Sequence, residues 1–388
     1  MDIFLWIFLV SLLCGTITGI PIASGVVLYL HDLVLFLGGI YYGISFIQKK
    51  IRIVPYLSKP IIYFIAVAIL SLIVNITRFP WQSILVGSLY LWRWIAYALL
   101  YGVCVQQIGR GNDITKKMFT YGCAFGILGI LQFIFYPNLR FLLYLGWDPH
   151  YYRLFSTVLD PNFAGILLVL SVLLGYYLFS TEKKLSYAVA SIFLLCCVYL
   201  TYSRSSYLAM AIGALVYTLL QKQWRILGIV AIFIAIIFIV PRPGGNTLRL
   251  WREDSTYSRF SNWKESAALF MTAPILGHGF NTLRFIQTPT IVDSTSFVSH
   301  AAAGVDSSIL FLLVTTGVIG TVFYLSIYYA AGVRSKKNKE SAAIRILYIS
   351  SIAAVLMHSL FVNSLFYPWI LCWFWMLIAA VELIYDRK

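Results

Sequence analysis

Charged residues are scarce in this chain of 388 residues. They make up 11% of it, against roughly a quarter of a soluble globular domain, while hydrophobic residues make up 61%. That deficit excludes a soluble globular domain, and the mean hydropathy of +0.85 agrees. The sequence also contains neither an internal repeat nor a low-complexity tract.

Cysteine pairs and metal-binding spacings are lacking as well. The six cysteines all fall inside apolar runs, and the adjacent Cys196 and Cys197 diverge on a helix, which favours core packing over disulfides. The chain has no Asp-x-Asp motif and no His/Cys cluster. We therefore expect any chemistry to proceed without a metal ion or another cofactor.

Apolar runs that could cross a bilayer are abundant, since a helical span needs roughly 20 such residues. Twelve candidates predict an all-α integral membrane protein: 3–20, 25–47, 60–78, 84–106, 118–136, 162–180, 186–202, 205–221, 225–240, 306–332, 343–362 and 365–385. The boundaries around Pro21 and at 203–206 are the least sharply marked. The first run has no basic stretch before it and no small-residue cleavage site, so we expect it to be retained.

Lysine and arginine are sorted between the connections. One alternating set holds 12 Lys and 6 Arg against 6 acids; the other, with Arg93 inside its span, holds 1 Lys and 10 Arg against 8 acids. Lysine marks the cytoplasmic side of a membrane protein. The pattern predicts cytoplasmic termini and offers no case for nucleic acid. Because guanidinium groups suit phosphate, it also predicts a phosphate-bearing substrate on the outer face.

One outer connection, 241–305, is far longer than the rest. It divides the expected organisation into helices one to nine (1–240), the loop (241–305) and helices ten to twelve (306–388), within one membrane domain. Apolar residues recur at helical spacing between Ser258 and Thr272, which predicts a helix on the membrane surface or capping the bundle. The loop is too long to be a mere connection.

Several outer cations are candidate ligands for phosphate. Arg204 lies in a turn rich in hydroxyl groups, and Arg93 lies deep in the fourth span, where it either reaches a lipid-linked phosphate or pairs with Asp32 or a backbone carbonyl. The candidate binding residues are Arg259, Arg284, Arg249, Arg252, Arg153, Arg93 and His278. Glu253 and Asp254 neutralise one or two of the loop arginines.

Two residues are candidates for a general base. His300 precedes Asp306, which opens the tenth span. An acid at a helix N-terminus also has a purely structural interpretation, as an N-cap. With Arg204, His300 and Asp306 form the predicted catalytic set.

Three stretches together resemble the O-antigen ligase and polymerase superfamily. They are the Ser203-Arg204 turn, the loop pattern from Ser258-Arg259 to Gly277-His278-Gly279, and Asp306-Ser307-Ser308 followed by Gly317 and Gly320. The resemblance implies a GT-C-like membrane enzyme with a large periplasmic loop between helices nine and ten. The resemblance also implies that the substrate is an undecaprenyl-pyrophosphate-linked oligosaccharide.

The resemblance is strongest to the Wzy-type O-antigen polymerase. In the ligases a catalytic His followed by Asn opens the tenth span, and those positions are Asp306 and Ser307 here. The expected reaction is metal-independent transfer of the growing glycan to a sugar hydroxyl of a single lipid-linked repeat, in the bacterial inner membrane. Expected partners are the lipid bilayer and a chain-length regulator.

Other functions remain open. An O-antigen ligase would share the fold and transfer the glycan to lipid A-core instead. A flippase for the lipid-linked oligosaccharide is less favoured, because transporters place charges near the midplane in paired halves and no two halves match here. A scaffold for such machinery is the remaining alternative.

Overall fold

A computed structural model describes residues 2–23, 26–48, 55–108, 114–145, 147–240, 253–287, 304–334 and 342–386. These residues form α-helices joined mostly by short connections. The helices are α1 Asp2–Leu13, α2 Leu30–Ile47, α3 Ser58–Val74, α4 Trp81–Ile108, α5 Ile114–Phe135, α6 Pro161–Glu182, α7 Leu185–Leu200, α8 Arg204–Gln221, α9 Arg225–Ile239, α10 Glu253–Thr272, α11 Leu283–Gln287, α12 Ser308–Arg334, α13 Ala342–Ser359 and α14 Pro368–Asp386.

The protein is an all-α integral membrane protein, as predicted. Among the described residues, six helices are long and apolar enough to cross a membrane, and five shorter helices are also apolar. Each of the twelve predicted spans contains one helix. Helix α8 belongs to neither group, because its first turn, Arg204-Ser205-Ser206, is polar.

The first two predicted spans were too long. Helix α1 ends at Leu13, and a 3₁₀ turn and two antiparallel paired strands, β1 Ile20–Ala23 and β2 Val26–Leu28, precede α2. Gly15 has a φ of +62°, which a right-handed helix cannot accommodate. Pro21 has no backbone N–H for a helical hydrogen bond.

Helix α6 lies at the centre of the bundle. It contacts α5, α7, α8 and α13, and nearly every side chain from Ala164 to Leu174 is buried. Its start is set by Asp160, whose carboxylate accepts hydrogen bonds from the backbone N–H of Asn162 (2.6 Å) and Phe163 (3.3 Å), with a proline at the first helical position. The predicted start of this span is thereby confirmed.

The two ends of the bundle differ in charge. At one end, Glu182 forms ion pairs with Lys116 (2.7 Å) and Lys184 (2.8 Å), which joins the start of α5 to the end of α6. We call this end the lysine face. The opposite end, where α6, α8 and α12 begin, is called the arginine face.

Helix α12 is broken at Gly317, where φ is 67° and ψ is −170°. Segment 274–279 crosses the helix there, so that Val318 N donates to Pro274 O (2.9 Å) and Gly279 N donates to Thr315 O (3.0 Å). The sequence predicts an uninterrupted span over 306–332. The break instead lets the segment after α10 form backbone hydrogen bonds with α12, which ties α10 to the bundle.

Candidate active site at the arginine face

Arg204 begins α8, and the serine before it sets its position. The backbone of Ser203 is extended, and its Oγ accepts a hydrogen bond from Ser206 N (3.4 Å) as the N-cap. Tyr202 adopts a left-handed conformation with φ of 49°, which turns the chain sharply from α7 into α8. The predicted division between these spans is confirmed, and it places Arg204 at the arginine face.

A buried network of hydroxyl, amide and imidazole groups holds this turn. Ser203 Oγ donates to Asn162 Oδ1 (2.9 Å), and Ser205 Oγ lies 3.1 Å from His358 Nε2. The other ring nitrogen of His358, Nδ1, lies 2.6 Å from Ser364 Oγ. The network joins α6, α8 and α13, so the start of α8 is held in place from three sides.

Arg204 and Arg259 share a cavity between α8 and α10. The cavity has a volume of about 370 Å³ and is lined by Arg204, Ser205, Leu208, Arg259, Phe260, Trp263 and Phe361. Helix α10 is fixed above it by Trp263, whose ring centroid lies 5.7 Å from that of Phe361. The two guanidinium groups are close enough to repel each other. The predicted helix in the long loop therefore exists, starting at Glu253, and brings one loop arginine to Arg204.

Asp306 lies near Arg259, just before α12. Its backbone N–H donates to Asn262 Oδ1 (3.0 Å), and Asn262 Nδ2 donates to Gly304 O (3.1 Å), so α10 positions the acid. Burial raises the pKa of the Asp306 carboxyl above its ordinary value; the nearby Arg259 lowers this pKa and the Asp160 carboxylate raises it. Asp306 thus retains a stronger affinity for a proton than an exposed aspartate has.

Arg153 supports the turn before Arg204 and does not line the cavity. Its Nε donates to Thr201 O (2.9 Å) and its Nη2 donates to Tyr202 O (3.3 Å), and the residue is only 4% exposed. Its predicted role as a substrate ligand has no counterpart in this geometry. A positioning role follows instead, because it satisfies the carbonyl groups of the turn.

Arg93 forms the ion pair that was its alternative interpretation. Its Nη2 lies 2.6 Å from Asp32 Oδ2, its Nε donates to Asp32 Oδ1 and Tyr97 Oη (both 3.1 Å), and its Nη1 donates to Val27 O (3.3 Å). The residue lines a second cavity of about 250 Å³ near α2, α4 and α14. This second cavity shares no lining residue with the cavity of Arg204, so Arg93 lies at a separate site.

Two further predicted ligands also lie away from Arg204. The guanidinium carbon of Arg284, on α11, is 5.9 Å from the ring centroid of Tyr90, which lines the second cavity. His278 Nε2 lies 2.9 Å from both Leu269 O and Thr272 Oγ1, where it ties segment 274–279 to the end of α10.

The predicted residues His300, Arg249 and Arg252 lie outside the described residues. Within the described part of the chain, no three His, Cys, Asp or Glu side chains are grouped to hold a metal ion. Of the predicted set, the structure brings together Arg204, Arg259 and Asp306.

Comparison with known proteins agrees with the resemblance at a coarse level. Residues 189–325 match the family model described as O-Antigen ligase, a range that runs from α7 into α12 and contains Arg204, Arg259 and Asp306. A curated O-antigen ligase of Salmonella typhimurium (strain LT2) is 28% identical over 171 residues, or 41% of this chain. The aligned part of the chain spans 42% of that relative's length. Both matches carry a ligase description, and neither describes a polymerase.

Proposed function

We propose that the chain is a membrane glycosyltransferase that moves a glycan from a polyprenyl diphosphate to a hydroxyl group of an acceptor. The observation that carries this proposal is the cavity shared by Arg204 and Arg259, with Asp306 beside Arg259. The apolar walls match the prenyl chain of the donor, the two arginines match its diphosphate, and Asp306 matches the proton of the acceptor hydroxyl.

The paired guanidinium groups suit a diphosphate. Two positive charges on the walls of one cavity repel each other, and a dianion bound between them attracts both. At 4 Å and an effective dielectric constant of 20, each attraction between two unit charges is worth roughly 4 kcal/mol. Guanidinium binds phosphate oxygens through two parallel hydrogen bonds. The remaining walls include Leu208, Phe260 and Trp263, which suit the first part of a prenyl chain.

The chemistry balances with these groups alone. The acceptor oxygen forms a bond to the anomeric carbon, while the bond from that carbon to the diphosphate oxygen breaks and its electron pair leaves with the diphosphate. Arg204 and Arg259 stabilise the charge that develops on the leaving group. The acceptor hydroxyl loses its proton to Asp306, whose raised pKa favours proton uptake.

Ligase-type transfer is the first candidate, because the matching family model and the matching curated protein are both described as O-antigen ligase. The acceptor is then lipid A-core and the donor an undecaprenyl-pyrophosphate-linked oligosaccharide. The second candidate is an O-antigen polymerase, which extends a single lipid-linked repeat and works with a chain-length regulator. Asp306 and Ser307 favour it, since they stand where the resemblance places the His and Asn of the ligases.

Reconstitution with one donor and both acceptors tests the proposal. Glycan on lipid A-core supports the ligase, a ladder of longer lipid-linked chains supports the polymerase, and activity that persists in EDTA supports metal-independent chemistry. Arg204→Ala should lower the rate about 10²- to 10³-fold, as loss of a charge-stabilising donor does. The control is Arg225→Ala, which removes the matching first residue of α9 at the lysine face. Translocation of the donor without a new glycosidic bond would overturn the proposal in favour of a flippase.

We also propose that the arginine face lies in the periplasm and that the protein resides in the bacterial inner membrane with both termini in the cytoplasm. The lysines paired with Glu182 at the opposite face support this orientation. A C-terminal fluorescent protein that matures only in the cytoplasm should fluoresce. A dark fusion that is fully inserted contradicts the orientation.

A further inference from the structure

The second cavity, near α2, α4 and α14, differs in chemistry from the first. It has a volume of about 250 Å³, and its walls include Tyr90, Arg93, Asn281, Asn363, Tyr367 and Trp369. Its walls thus carry both aromatic rings and amide groups. Arg204 and Arg259 line the other cavity.

Two asparagine side chains on its walls each have one buried amide atom without a partner. Among the described residues, Asn281 Nδ2 and Asn363 Oδ1 are buried and make no hydrogen bond. One is a donor and the other an acceptor. A buried polar group without a partner destabilises a protein, so a site that keeps both is suited to a ligand carrying hydroxyl groups, which can accept from one amide and donate to the other.

The cation of this cavity is already neutralised. Arg93 makes a two-point contact with Asp32, and Tyr97 Oη contacts the same carboxylate. Arg284, beside Tyr90, does not line the cavity. An anionic ligand would meet a paired charge, whereas a neutral, hydroxyl-rich ligand would meet aromatic faces and two unfilled amides.

The turn between α13 and α14 contributes to both cavities, since Phe361 lines the first and Asn363 and Tyr367 line the second. Asn363 and Tyr367 lie on this turn, and the Tyr367 ring stacks on Phe163 at 3.6 Å between centroids. On the other side the turn contacts α12 directly after Asp306, since Leu365 N donates to Ser308 Oγ (3.0 Å). The start of α12 therefore contacts the turn whose residues line both the diphosphate cavity and the amide cavity.

We infer that the cavity lined by Asn281, Asn363 and Tyr367 binds the sugar of the acceptor, so that its hydroxyl approaches Asp306 from the side opposite the diphosphate. This inference rests on the proposed glycosyl transfer and adds the acceptor site to it. Sugar rings stack on aromatic faces and bind amides through hydroxyl groups, which matches these walls.

The test measures the Michaelis constants of donor and acceptor separately. Asn363→Leu removes the acceptor amide at similar volume, and Asn281→Asp removes the donor while keeping a residue that tolerates the φ of 57° at this position. Each variant should raise the acceptor KM about fivefold, the worth of one hydrogen bond. The donor KM should stay at the wild-type value, because neither residue lines the cavity of Arg204 and Arg259. Asn138→Leu, at an asparagine outside both cavities, is the matched control.

Binding of the lipid-free acceptor oligosaccharide, measured by saturation-transfer NMR on detergent-solubilised protein, gives a second readout. Saturation that is present in the wild type and lost in both variants supports the acceptor site even if no transfer occurs, in which case only the proposed reaction fails. Unchanged acceptor KM and unchanged saturation in variants that elute as folded monodisperse protein overturn the inference. Should Asn363→Leu fail to fold, Asn281→Asp decides.

Discussion

Replacing Gly317 with alanine tests the contact that joins the long loop to α12. At this residue the backbone has φ of 67° and ψ of −170°, a region that only glycine adopts without strain. An added Cβ would lie 2.2 Å from Ile275 O and 2.3 Å from the carbonyl carbon of the same residue. Both atoms are backbone, so no side chain can rotate away to relieve the overlap.

The expected destabilisation has two parts. The strained conformation costs roughly 1–3 kcal/mol for a non-glycine residue, and forcing the crossing segment aside costs roughly 1–3 kcal/mol more. With an unfolding entropy of about 2.1 cal/mol/K per residue, a loss of about 2–6 kcal/mol lowers the melting temperature of a chain of this size by about 2–7 °C. Activity should fall further, because the crossing segment anchors α10 and α10 carries Arg259.

The assay is thermal unfolding in detergent, followed by glycan transfer at a temperature where both proteins are folded. Gly228→Ala and Gly43→Ala are matched controls, since a Cβ at either position meets no atom within 4 Å. Both controls should melt within about 1 °C of the wild type. A Gly317→Ala protein that melts with the controls would show that the loop and α12 do not cross as described.

Three further predictions concern the site. Asp160→Asn keeps the α6 cap but removes a charge that raises the pKa of Asp306. Because only the ionised base is active, the acidic limb of the pH–rate profile should move to lower pH. A limb that stays in place or moves to higher pH refutes Asp306 as the base. Asn262→Ala releases the Asp306 backbone and should lower kcat about tenfold with the donor KM unchanged. Trp263→Ala should raise the KM of a long-chain prenyl donor more than that of a short-chain analogue; equal changes would remove this side chain from the lipid path.

The helices were predictable from the sequence because bilayer thickness imposes a simple rule. Any run of about 20 apolar residues in such a chain is a helix, and Asp160 with the proline after it marks the start of α6 by local chemistry. The rule failed before α2, where the short strands β1 and β2 are as apolar as a helix. It also failed at Gly317, because the cause of the break is a segment about forty residues earlier in the chain.

The charged part of the site was also predictable, for a different reason. Arginine is costly at the membrane, so each outer arginine is conspicuous, and Arg204, Arg259 and Asp306 were recognised without coordinates. The residues that position them were not. Asn262 is one of many polar residues on a loop helix. The contact of His358 with Ser205 spans 153 positions and has no local signal.

Arg93 shows why a conspicuous charge does not by itself identify a ligand site. Its depth in the span predicted either a lipid-linked phosphate ligand or a partner such as Asp32, and the structure shows the pair with Asp32, with a cavity against it. A neutral pair costs less in a membrane than a bare charge, and it still supplies a polar wall. The Arg93–Asp32 pair therefore suits uncharged hydroxyl groups, whereas the two guanidinium groups of Arg204 and Arg259 on one cavity suit phosphate.

The range matched by the O-Antigen ligase family, 189–325, divides the proposed enzyme along the same line. It contains Arg204, Arg259 and Asp306, the groups that we assign to the donor and to proton transfer. Of the cavity walls that we assign to the acceptor, Phe280, Asn281 and Phe311 lie within it, and the larger part lies outside, including Tyr90, Arg93, Asn363, Tyr367 and Trp369. Chemistry on a lipid diphosphate requires the same charges whatever sugar it carries, whereas recognition of an acceptor must change with the acceptor. Ligase and polymerase activity would then differ in α4, the α13–α14 turn and the start of α14, so exchange of those elements, with α8 and α10 kept, is the change that should switch one activity into the other.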